Sequence, residues 1–81
     1  MTVKVLFFSL LRDLSGTDRL ALELPAPSTL GEAVARIGKR FPSLAAWEGR
    51  LLLAVNGEYA DRATVLADGD EVALMPPVQG G

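Results

Sequence analysis

Between Leu30 and Phe41 the apolar residues of this chain fall at helical spacing, whereas the apolar segments on either side alternate with period two. A single helical stripe (Leu30, Val34, Ile37 and Phe41) set between strand-like segments limits the fold more than any other feature. Glu32, Arg36, Lys39 and Arg40 lie off that stripe. Thr29, followed three residues later by Glu32, has the spacing of a capping box, in which side chains satisfy orphan backbone donors at the first turn. Pro42 stops the helix, because the residue before a proline is pushed out of the α region. Gly31 and Gly38 lie inside it, each costing about 1 kcal/mol against alanine. Tertiary packing, more than intrinsic propensity, must therefore hold this helix.

The flanking segments read as strands. Thr2 to Leu10 places Val3, Val5 and Phe7 on one face and Lys4, Leu6 and Phe8 on the other. Both faces are partly apolar, so this strand is either covered twice or leaves one face for a partner. Ser15-Gly16-Thr17-Asp18 has turn chemistry, and Leu20, Leu22 and Leu24 share a face of the next strand. Together they predict an N-terminal hairpin ending at Pro25 and Pro27. Ser43 to Arg50, with the only tryptophan at Trp47, reads as irregular. Leu51 to Val55, Asn56-Gly57 and Glu58 to Ala60 form a second hairpin, because a type I′ turn needs positive φ at two successive residues. Asp68-Gly69-Asp70 marks a tight turn, and Glu71 to Met75 is the last strand, with Val72 and Leu74 on one face and Ala73 and Met75 on the other.

The order strand, strand, helix, strand, short strand, strand fits an α+β domain. Its expected architecture is the β-grasp (ubiquitin-like) mixed sheet packed on one main helix. Residues 1–75 would form that domain and residues 76–81 an extended, flexible C-terminal tail ending in Gly-Gly. At 81 residues the chain has room for one small core.

Composition removes most kinds of active site. The chain has no cysteine and no histidine, so it lacks a thiol nucleophile, thiolate ligands and the commonest general base. Asp61, Asp68, Asp70 and Glu71 invite a metal or a general acid, but nothing near Asp68-Gly69-Asp70 completes a coordination shell, and a structural turn is the better reading there. No metal site and no bound cofactor are expected. A net charge of −2, with no basic stripe, argues against nucleic acid. No apolar run is long enough to cross a membrane and the start does not read as a signal peptide, so a cytoplasmic location is expected.

The tail offers different chemistry. Pro76 and Pro77 fix φ and favour an extended course, and Pro76 to Gly81 would reach roughly 20 Å if extended. Gly80 and Gly81 have no side chains, so a narrow channel in another protein could admit them, leaving the Gly81 carboxylate as a handle with little steric shielding. A carboxylate becomes an acyl electrophile once adenylated, and a sulfur nucleophile can then convert it to a thiocarboxylate. None of these steps needs a side chain of this chain.

The segments VKVLFFSLLRDLSGTD, AVNG and LADGDEVALMPPVQGG resemble the small subunit of molybdopterin synthase, a ubiquitin-like sulfur carrier. The resemblance implies that an activating enzyme adenylates Gly81 with ATP, and that a sulfur donor such as a cysteine desulfurase or a rhodanese-like protein makes the thiocarboxylate. It further implies that the tail (Pro76, Pro77, Val78, Gln79 and Gly80) threads into the large synthase subunit. There the terminus would give sulfur to cyclic pyranopterin monophosphate, building the molybdopterin dithiolene, within an elongated heterotetramer whose large subunit supplies the catalytic side chains. Phe8, Tyr59 and Met75 match apolar positions of the partner-facing surface, and Arg12 also matches a family position. Related carriers for thiamin or tRNA thiolation share the activation chemistry, and a protein-conjugating modifier shares the terminal glycines.

Overall fold

The computed structural model describes residues 1–77. Its elements, in chain order, are β1 (Thr2–Phe7), α1 (Leu10–Ser15), β2 (Arg19–Glu23), α2 (Leu30–Arg40), α3 (Pro42–Ala45), β3 (Leu52–Val55), β4 (Glu58–Tyr59) and β5 (Glu71–Met75). A single 3-10 turn, Glu48–Arg50, precedes β3. The strands form one sheet in the order β2-β1-β5-β3-β4, with β1 and β5 parallel and the other pairs antiparallel. This is the expected β-grasp arrangement: a mixed sheet with one long helix against one face.

The core forms where the period-two and helical patterns meet. Val3, Val5, Phe7, Leu53, Val72 and Leu74 on the sheet close against Leu30, Ala33, Val34 and Ile37 of α2. Phe41 is only half-buried and turns its ring edge to Phe7, with centroids 5.6 Å apart. The capping box is made in both directions: Thr29 Oγ1 accepts from the Glu32 N–H at 3.2 Å, and Glu32 Oε1 accepts from the Thr29 N–H at 3.0 Å. The remaining donors of that first turn go to the loop before β5, Leu30 N–H to the Thr64 carbonyl and Gly31 N–H to the Arg62 carbonyl. Gly31 eases this approach: a Cβ there would sit 3.1 Å from Arg62 Cβ and 3.2 Å from the Arg62 carbonyl oxygen, closer than ordinary contact.

Three local expectations need correction. The first strand ends at Phe7, not Leu10, and the β1–β2 connection contains helix α1 in place of a tight hairpin. Leu11 is the reason, because it is fully buried only if the chain turns back under the sheet after Phe8. The stretch from Ser43 to Arg50, expected to be irregular, holds α3 and the 3-10 turn, which bury Leu44. The second hairpin forms as expected, with Asn56 at φ 51° and Gly57 at φ 85°. Its outgoing strand β4 stops at Tyr59, one residue short of the expected Ala60.

Candidate functional site

Helix α2 covers one face of the sheet; the residues that alternate with the core positions line the other. Register builds this open face row by row. Leu6 lies opposite Ala73, Ala73 opposite Ala54, and Ala54 opposite Tyr59. One row further on, Met75 lies opposite Leu52, and the Phe8 N–H reaches the Leu74 carbonyl at 3.1 Å, extending the β1–β5 pairing by a residue. Leu6, Phe8, Tyr59 and Met75 thus line one shallow groove of about 300 Å³, floored by Ala54 and Ala73. Tyr59 is 76% exposed and Phe8 45% exposed, although aromatic side chains contribute most when they are covered.

The three residues expected to meet a partner (Phe8, Tyr59 and Met75) therefore share one surface. Leu6, Ala54 and Ala73 belong to it as well; their alternation with buried neighbours was the available signal. Met75 is the last residue of β5, and Pro76 follows without an N–H to continue the ladder, so the chain leaves the sheet beside the groove. Val78, Gln79, Gly80 and Gly81 lie outside the described residues.

A polar clasp holds the rim of this face. The Asn56 side chain donates to Asp70 Oδ1 at 2.9 Å and accepts from the Glu71 N–H at 2.9 Å, tying the β3–β4 turn to the start of β5. Asp70 Oδ2 accepts from the Ala67 N–H at 2.8 Å. The Ala67 N–H and then the Asn56 amide hold the Asp70 carboxyl below its ordinary value of 3.8, and slight burial opposes them. Asp68 Oδ1 accepts from the Thr2 N–H at 2.7 Å. Both carboxylates of the Asp68-Gly69-Asp70 turn are thus used in fastening backbone. Among the described residues no three of His, Cys, Asp or Glu come together as a metal-binding group would require.

A larger open depression of about 530 Å³ lies beside it, over β1 and β2, lined by Thr2, Lys4, Arg19 and Ala21 among others, and it holds none of the expected site residues. The described part of the molecule thus presents an uncovered apolar face with the chain leaving its edge after Met75, and no cluster of side chains arranged for bond-making.

Comparison with known proteins bears on family and fold. The ThiS family profile matches residues 5–81. The molybdopterin synthase sulfur carrier subunit of Escherichia coli (strain K12) is 43% identical over 81 residues, covering 98% of this chain and 99% of that protein. Small archaeal modifier protein 1 of H. volcanii superposes with a TM-score of 0.86 at 26% identity, over 95% of this chain and 98% of the other. A chain of the complex of subunits 1 and 2 of molybdopterin-converting factor from Helicobacter pylori 26695 superposes with a TM-score of 0.71 at 30% identity, over 100% of both chains. No helix among the described residues is long and apolar enough to cross a membrane. With the profile matched over nearly its whole length and relatives of the same size and fold, the chain belongs to the ThiS family.

Proposed function

We propose that this chain is the sulfur-carrier subunit of a molybdopterin synthase, working in the cytoplasm. The observation that carries the reading is the pairing of an uncovered apolar face with a strand that ends at its edge and leads into Pro76-Pro77 and the terminal glycines. The 43% identity to a molybdopterin synthase sulfur carrier subunit supports it. In this reading an activating enzyme attacks the α-phosphate of ATP with the Gly81 carboxylate, releasing pyrophosphate and forming an acyl-adenylate. The terminal sulfur of a persulfide on a cysteine desulfurase or rhodanese-like donor then displaces AMP to give an acyl disulfide. A second thiol cleaves its S–S bond, forming a disulfide with the donor and leaving the thiocarboxylate. The large synthase subunit seats on Phe8, Tyr59 and Met75 and receives the tail, and cyclic pyranopterin monophosphate accepts the sulfur. The chain itself binds no cofactor.

Intact and fragment mass spectrometry tests this directly. With ATP, activating enzyme and sulfur donor, a sulfur-for-oxygen mass increase is expected at Gly81; fragmentation separates it from oxidation of Met1 or Met75. Removing Gly81, or adding one residue after it, is expected to abolish loading while leaving Tm unchanged. Loading of either variant at the normal level would overturn the reading. The likeness to an archaeal modifier protein favours one second reading, attachment of the Gly81 carboxyl to lysines of other proteins. Covalent ladders on a blot of the tagged chain in cells, with the terminus never thiolated, would select it.

A further inference from the structure

Ser9, between β1 and α1, has φ 56° and ψ −129°. L-residues rarely enter this half of the backbone map, whereas glycine enters it without steric penalty. The other positive-φ positions among the described residues have an evident account. Gly16, Gly57 and Gly69 are glycines, and Asn56 is a residue type that tolerates such φ and uses its side chain in the Asp70 clasp. Ser9 has neither. It stands at a helix N-cap, yet its hydroxyl makes no capping bond, and it is exposed, so packing does not select it either.

The backbone around it is held on both sides. Phe8 N–H donates to the Leu74 carbonyl at 3.1 Å, Leu11 N–H to the Phe8 carbonyl at 3.1 Å, and Arg12 N–H to the Ser9 carbonyl at 3.0 Å. Within one residue the chain must leave the sheet with Phe8 facing the open groove and enter a helix with Leu11 fully buried. Ser9 makes that turn with a side chain in place. A Cβ leaves only a narrow range of φ and ψ around such a conformation, whereas glycine would leave a broad one. We propose that Ser9 is a positioning residue for the docking face: its strained backbone forms a stiff hinge that fixes Phe8 over the groove before the partner arrives. The proposal rests on the reading that this face seats the large synthase subunit.

The test compares the wild-type chain, Ser9→Gly, and a chemically synthesised chain with D-alanine at position 9. A D-residue favours this backbone conformation and keeps the Cβ. Three readouts are taken: Tm, the NMR order parameter of the Phe8 amide in the free chain, and calorimetric affinity for the large subunit. Ser9→Gly is expected to leave Tm unchanged or raised, to lower the Phe8 order parameter below the roughly 0.85 of rigid backbone, and to weaken binding about 3- to 10-fold through lost pre-organisation. The D-alanine chain is expected to raise Tm and keep wild-type affinity. Wild-type Phe8 order and affinity in Ser9→Gly would overturn the proposal, as would a lower Tm that accounts for the lost binding. If the wild-type chain itself fails to bind the large subunit, the docking reading fails; the Phe8 order parameter still decides whether Ser9 stiffens the hinge.

Discussion

The two faces of the sheet are built from alternate residues of the same strands and are both apolar, yet only one has a covering layer. Val5, Phe7, Val72 and Leu74 meet α2 and are buried, whereas Leu6, Phe8, Ala73 and Met75, their immediate neighbours, line an open groove. Burial of apolar area stabilises the fold on the first face at roughly 25 cal/mol per Å². On the second face much of that area stays in water, so its apolarity contributes less to folding and, on the proposed function, serves association. Apolar alternation on one strand thus reports two separate demands, and only the position of the helix separates them.

The contrast can be broken most severely on the covered side. Leu74→Ala is expected to destabilise the domain by about 2–5 kcal/mol, visible as a large fall in Tm by calorimetry. Phe8→Asp or Met75→Asp should behave oppositely, changing stability by no more than about 1 kcal/mol while weakening large-subunit binding at least about 10-fold in titration calorimetry. Equal loss of stability on both faces would remove the distinction.

The two glycines of α2 sharpen the covered side further. Gly38→Ala would bring a Cβ to 2.9 Å from Glu48 Oε1, the far end of a side chain that can move, so the helix gains about 0.5–1 kcal/mol. Gly31→Ala would press on Arg62 Cβ and the Arg62 carbonyl, and overpacking there is expected to cancel or exceed the same gain, by up to about 2 kcal/mol. Paired urea denaturation curves check the difference in sign.

The smallest effect belongs to the rim of the open face. The Asp70 carboxyl titrates lower in the folded chain than its ordinary 3.8, so its ionised form stabilises the fold at neutral pH. That contribution is complete well above 3.8 and is lost as pH falls below 3.8 and through the folded value. The Tm gap between wild type and Asp70→Asn is therefore expected to be widest at neutral pH and to close in acid. A gap that is constant with pH would show that the clasp works without the charge.

Much of the fold was legible because the signals were local. The Thr29–Glu32 capping box, the Asn56-Gly57 turn and the alternation in Glu71 to Met75 each depend on contacts within a few residues, and each formed where expected. Phe8, Tyr59 and Met75 were expected to be partner-facing from family resemblance. Alternation separated Phe8 and Met75 from the core positions, and sheet register brings all three into one groove. Helices α1 and α3 were missed because each is short and rests on one or two residues, Leu11 or Leu44, whose burial depends on distant elements. The strained turn at Ser9 was invisible for a related reason, since with α1 missed Ser9 read as part of the first strand.

The sequence by itself determined the long helix, most of the strands and which of their residues alternate toward the core, because period and turn chemistry are properties of the chain's near neighbours. Only the tertiary structure decided that β1 and β5 lie side by side and parallel, that the Arg62 carbonyl accepts from the Gly31 N–H, and that Phe8, Tyr59 and Met75 meet on one uncovered face. Those contacts join residues tens of positions apart, and nothing in local periodicity encodes which strand becomes whose neighbour.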